Sequence, residues 1–182
     1  MNILQILPQL NVGGVETGTV DLAKYLVKNG HGCVVISGGG ELVRELENCG
    51  IRHYTLPVDS KAFWVMLKAA GKVADIIRQE KIDIVHARSR VPAWVSFMAT
   101  PKASAASAAS AASIASIASA ANVVLLTTAH GHYSRHIFSY MMGQGKYTIV
   151  PSSVIGKHMI EAFGVPYENI RLIPRSVDLE KY

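Results

Sequence analysis

Short apolar runs alternate along the chain with longer segments of helical period, the signature of strand-helix-strand units that build a mostly parallel sheet. The first run, residues 3–7, stops at Pro8. After a loop carrying Gly13 and Gly14, Glu16 opens a helix whose apolar positions Val20, Ala23, Tyr25, Leu26 and Val27 predict a buried side; Asn29 and Gly30 end it. The continuous run 33–36 predicts a strand covered on both faces and broken by the glycines 38–40. A helix over 42–49 and a strand over 53–56, ended by Pro57, follow. Between 62 and 80, Phe63, Leu67, Ala70, Ala74 and Ile77 recur three or four apart, a stripe that predicts a long helix facing the sheet, with Lys68, Lys72 and Arg78 off it. A strand over 82–85, a helix over 91–100 with Pro92 in its first turn, and runs at 123–127, 148–150 and 171–173 bring the expected count to about seven strands. The pattern predicts the α/β class, a three-layer sandwich.

One segment breaks the pattern. Residues 103–121 repeat Ala/Ser triplets, a low-complexity tract with good helix propensity and no large apolar face. A period of three drifts against the helical 3.6, so its serines would spiral around a helix. The tract reads as an engineered or placeholder replacement for a helix-loop-strand connection, with a natural low-complexity insert as the alternative.

A length of 182 residues suits one domain, and 49% hydrophobic with 17% charged residues permits a sizeable core and argues against disorder. Lys and Arg outnumber Asp and Glu by 18 to 13, and the net +5 favours anionic partners. No aromatic-basic interleaving accompanies the charge, so nucleic acid is not expected. The two cysteines, Cys33 in a strand and Cys49 near a helix end, imply no disulfide framework. The N-terminus lacks the basic start and long apolar run of a signal peptide, and the charge-poor stretch 91–129 is too polar to span a membrane. A cytoplasmic protein is expected.

Ligands of an open parallel sheet bind beyond the carboxyl ends of its strands, and there the sequence is unusual. Gly13 and Gly14, then Glu16, follow the first strand; His86, Arg88 and Arg90 follow the fourth; His130, His132, Arg135 and His136 follow the fifth. Paired glycines let backbone amides approach a phosphate at a helix N-terminus, or simply make a tight turn. An imidazole at a strand end can hydrogen-bond a sugar hydroxyl or exchange a proton near neutral pH; it can equally be structural. The histidines lack an accompanying carboxylate or cysteine at ligand spacing, so no metal site is expected.

Four motifs in order resemble glycosyltransferase family 4, whose members share the GT-B arrangement of two Rossmann-like domains around a cleft. They are the opening strand with Gly13-Gly14-Val15-Glu16, the strand end Asp83-Ile84-Val85-His86-Ala87-Arg88-Ser89, the segment Thr127-Thr128-Ala129-His130-Gly131, and the tail from Thr148 through Pro151 and Phe163-Gly164-Val165-Pro166 to Ile170-Arg171-Leu172-Ile173-Pro174-Arg175-Ser176-Val177-Asp178. The tail is similar to the family's domain junction, isoleucine-proline-asparagine-glycine-valine-aspartate. Arg175 and Ser176 depart from it, which argues against donor contacts there.

The resemblance implies that residues 1–182 form the Rossmann-like, acceptor-side half of a retaining, metal-independent glycosyltransferase that lacks its donor-binding half and is inactive alone. It implies no cofactor, a nucleotide-sugar donor as co-substrate and a glycan or lipid-linked acceptor. Gly13 and Gly14 would approach the donor phosphate, His130 the transferred sugar, and Glu16, Arg88 and Arg90 the acceptor side, with His86, His132 and Arg135 as further cleft candidates. Lys61, Phe63, Trp64, Lys68 and Lys72 could form a basic, aromatic helix for peripheral membrane contact, although Phe63 and Leu67 fit the buried stripe better. The alternatives are a noncatalytic sugar-phosphate-binding or scaffold domain and a nicotinamide dehydrogenase. The latter lacks its glycine-any-glycine-any-any-glycine turn here.

Overall fold

The computed structural model of the chain describes residues 1–110 and 123–175, as backbone alone over 101–110. Within these, seven strands form one sheet: β1 (Asn2–Ile6), β2 (Gly32–Ser37), β3 (Arg52–Thr55), β4 (Ile84–Ala87), β5 (Val124–Thr128), β6 (Tyr147–Val150) and β7 (Ile170–Leu172). Their order is β3-β2-β1-β4-β5-β6-β7 and every neighbouring pair is parallel. The helices between them are α1 (Gly14–Lys28), α2 (Val43–Asn48), α3 (Phe63–Gln79), α4 (Arg90–Ser110), the short α5 (Ile137–Tyr140) and α6 (Ser153–Phe163). This is the Rossmann-like α/β architecture expected from the alternating pattern.

Successive strand residues point to opposite faces, and β1 and β2 bury residues on both. Leu4, Ile6, Val34 and Ile36 join one core with Ala70, Val73 and Ile77 of α3 and Ala93 and Val95 of α4. Leu7, Cys33 and Val35 join another with Val20 and Ala23 of α1 and Leu46 of α2. Burial on both faces explains why these strands read as continuous apolar runs.

Three apolar assignments, in two helices, are corrected by the structure. Tyr25 is 63% exposed, because it lies roughly 140° around α1 from buried Val20 at 100° per residue, and Val27 in the last turn is exposed as well. Phe63 is 61% exposed, since the buried stripe of α3 begins a turn later at Met66; Leu67 is only half-buried. The fourth helix was expected to end at residue 100, but α4 continues to Ser110, into the first residues of the Ala/Ser tract. The favourable helix propensity of that composition accounts for the extension. The rest of the tract, and Ser176, Val177 and Asp178 of the tail motif, lie outside the described residues.

The glycines 38–40 do more than end β2. The amide of Gly38 donates to the Pro8 carbonyl (2.8 Å), Leu10 donates to Gly39 (2.8 Å), and Leu42 donates to Leu10 (2.9 Å). Gly40 has φ +143, and a Cβ there would strike the Leu10 backbone. The turn after β2 therefore braces the loop between β1 and α1.

Candidate functional site

The sheet order reverses direction between β1 and β4, so the loops after these strands diverge and open a crevice. On the β1 side stands the N-terminus of α1. Gly13 is its cap residue, in extended backbone, and no side chain caps the exposed amides. The missing side chains allow close approach: a Cβ on Gly14 would lie 3.1 Å from Nη1 of Arg175, and one on Gly13 would overlap the Glu16 carboxylate.

Arg88 is the first residue after β4, and its amide still donates to Ile6 of β1 (3.0 Å). Its side chain turns under α1 and is only 9% exposed. Nη1 donates to Oε1 of Gln5 (2.8 Å) and to the Gly18 carbonyl (3.3 Å), while Nε has no partner. Gln5 is fully buried in the middle of β1, and its own Nε2 donates to the Thr19 carbonyl (3.0 Å). An unpaired amide in such a place costs about 1–3 kcal/mol, so the two side chains secure one another. Burial first, then repulsion from Arg175, pulls the Arg88 guanidinium down to about 10 against the opposing pull of Glu16. It remains a cation at neutral pH.

His86 and His130 flank this arginine. The Nε2 of His86 shares a 2.6 Å hydrogen bond with Oγ1 of Thr128, and burial, then Arg88 and His130, depress its pKa to about 3. His130 follows β5; burial, then Arg88 and Arg175, bring it to about 4. Both rings are neutral near pH 7. Nη2 of Arg175 donates to Nδ1 of His130 (3.4 Å), and a guanidinium can only donate, so the His130 proton sits on Nε2. That nitrogen is buried and has no partner. His130 thus presents a hydrogen-bond donor, the first of the two chemistries open to an imidazole at a strand end, and its lowered pKa disfavours the second, proton exchange near neutral pH.

Beside this closed group lies an open pocket of about 330 Å³ at the ends of β3, β4 and β5, lined among others by Asp59, Lys61, Arg90, Ser134, His136 and Phe138. Arg90 lies over the Tyr133 ring (5.5 Å), and His136 stacks on Phe138 while its Nδ1 accepts from the Phe138 amide (3.3 Å). The remaining rim residues face elsewhere. His132 stacks on His158 of α6, and Arg135 donates to the Glu161 carbonyl.

The fold therefore gathers Gly13, Gly14, Glu16, His86, Arg88 and His130 into one group, adds Arg90 and His136 to the neighbouring pocket, and leaves His132 and Arg135 against α6. Gln5, Asp59 and Arg175 were missed as site residues. Gln5 had a signal, being the lone polar residue in a buried apolar run. Among the described residues, no three His, Cys, Asp or Glu side chains gather closely enough to hold a metal ion, and no helix is long and apolar enough to cross a membrane.

Residues 12–181 match the model of Glycosyltransferase Family 4, and the chain belongs to that family. Among solved structures it is similar to a glycosyltransferase from Rickettsia africae ESF-5, with 35% identity and a TM-score of 0.78 over 98% of this chain and 44% of that one. It also shares its fold with Anabaena Alr3699/HepE, solved with UDP and glucose, at 18% identity and TM-score 0.72 over 100% of this chain and 46% of that one. The lipopolysaccharide outer core galactosyltransferase WaaB, in its apo form, is similar at 15% identity and TM-score 0.73 over 98% and 47%. The chain thus spans less than half the length of these structures and has the architecture of one half of a GT-B fold. No curated protein gives a significant match.

Proposed function

We propose that this chain is the acceptor-side half of a retaining, metal-independent glycosyltransferase that moves a sugar from a nucleotide-sugar donor to a glycan or lipid-linked acceptor. The observation that carries the reading is the convergence of Gly14, Arg88 and His130 at the sheet's switch point, directly beside a pocket large enough for an acceptor group. In this reading the donor diphosphate approaches Gly13 and Gly14, and the Nε2–H of His130 donates to an oxygen of the transferred sugar. The acceptor enters the pocket along Arg90.

During transfer the bond between the anomeric carbon and the diphosphate oxygen breaks, and the acceptor oxygen bonds the same face of that carbon. The acceptor proton passes to the leaving diphosphate. Fixed donors and cations in a water-poor site stabilise the separating charge without rearranging, which suits a group as tightly held as Arg88. Because HepE was solved with UDP, uridine diphosphate sugars are the first donors to try. Lys61 at the pocket mouth is two residues from the exposed aromatic pair Phe63 and Trp64, whose rings meet edge to face at 5.4 Å. This supports contact with a membrane surface at the acceptor side, and we place the protein in the cytoplasm, peripheral to that surface.

Positioning two substrates in a closed cleft supplies much of such a rate gain, and half a cleft cannot supply it. The 182-residue chain alone is expected to show negligible transfer from a labelled nucleotide sugar, with turnover returning when the chain is joined to a donor-binding second half. Robust transfer by the chain alone overturns the half-enzyme reading. Tight NAD binding without nucleotide-sugar binding overturns the transferase reading altogether.

A further inference from the structure

The residue least expected at the site is Arg175. It stands where the family's junction motif has asparagine, just beyond β7, and yet it reaches back across the sheet to His130 and to the first residue of α1. There it joins a second arginine. Arg88 and Arg175 are near enough to repel one another, and among the described residues neither forms an ion pair with a carboxylate.

Two guanidiniums and the positive end of a 15-residue helix face one acid, Glu16, which already lies over Gly13. With both histidines neutral, roughly +1.5 charges remain uncompensated once the helix end is counted as about +0.5. Two nitrogens in the same group are buried without a partner: Nε of Arg88, a side chain more than nine-tenths buried, and Nε2 of His130. Excess positive charge, open helix amides and unpaired buried donors together match a group carrying at least two negative charges and many acceptor oxygens.

We propose that Arg175 and Arg88 form a two-arginine clamp for a diphosphate at the N-terminus of α1, with Arg175 giving up His130 to take a phosphate oxygen. The inference rests on the sugar-transfer reading only for the identity of that anion as the donor's diphosphate. Arg88, held by Gln5 and Gly18, is the fixed jaw. Arg175 is exposed, lies on the segment after β7 and is free to follow the ligand. The departure from asparagine thus strengthens the phosphate contact that it was taken to weaken.

The test is a titration of the intact chain with inorganic pyrophosphate, followed by the ring nitrogens of His130 and the amide of Gly14 in NMR spectra, with uridine as the uncharged control. Pyrophosphate is expected to shift both signals and uridine neither. Arg175→Ala is expected to weaken pyrophosphate binding about ten-fold at an unchanged thermal midpoint, because the side chain is exposed. Arg175→Lys should recover part of the loss, keeping the charge without the planar fork. Equal affinity of Arg175→Ala and the parent, or shifts confined to residues away from α1, overturns the clamp. Arg175-dependent pyrophosphate binding, together with a second-half fusion that neither binds nor uses nucleotide sugars, keeps the clamp and removes the sugar-transfer reading. Nucleotide-sugar binding that ignores Arg175→Ala does the reverse.

Discussion

The two halves of the crevice are built on opposite plans. Around α1 the side chains are buried and fastened to one another, as in the succession from Thr19 through Gln5 to Arg88, or from Thr128 to His86. Around the pocket, Asp59, Lys61, Arg90 and His136 are exposed, and all but Arg90, the first residue of α4, rest on loops. A rigid, dry group suits the part of a reaction that is the same in every turnover, where charge must be met without rearrangement. An exposed, loop-borne group suits the part that selects a partner, because loops can vary without disturbing a core. In the proposed function these are the donor side and the acceptor side.

Acid should separate the two regions most sharply. His86 and His130 have folded-state pKa values below their ordinary 6.5, so the unfolded chain binds more protons than the folded one between 6.5 and about 4 for His130, and between 6.5 and about 3 for His86. Stability is then fully present above 6.5 and falls as the pH drops, with a slope approaching about 1.4 kcal/mol per pH unit for each histidine. Urea unfolding at pH 7 and pH 5 should show the loss, and His86→Gln should remove one histidine's share of it. An unchanged midpoint between those pH values would mean that water reaches the two histidines of the closed group.

Gln5→Leu comes next in size. It fits an apolar strand but takes the 2.8 Å bond from a buried guanidinium, leaving it the longer 3.3 Å bond to Gly18, and removes the side-chain bond to the Thr19 carbonyl, so a cost of about 1–3 kcal/mol is expected by chemical denaturation. A neutral result would show that Gln5 and Arg88 do not depend on one another. The smallest effect is expected across the crevice, where Trp64→Ser should change stability by no more than about 0.5 kcal/mol while reducing flotation with anionic vesicles. A large loss of stability would return this aromatic pair to the core.

Much of the fold was legible because a two-residue and a 3.6-residue period leave unmistakable traces in apolar spacing. The continuous run 33–36 announced a strand covered on both faces, and α3 was placed within a residue at each end. Where the reading slipped, at Tyr25, Val27 and Phe63, period alone could not tell a helix face from its exposed first and last turns. The site was legible in outline, since Gly14, Arg88 and His130 all follow strand ends. Their division was not: His132 and Arg135 follow the same strand as His130, yet α6 claims them.

The order of elements, the parallel sheet and the edge on which chemistry would gather are local properties, written in spacing and in the residues that end each run. Which nitrogen of His130 carries the proton, that Arg88 is buried behind Gln5, and that Arg175 returns to Gly14 from the far side of the sheet depend on packing between residues 45 to 161 positions apart in the chain. Burial and charge act through space. A sequence records neighbours only along the backbone, so these features took form only when the strands were laid side by side.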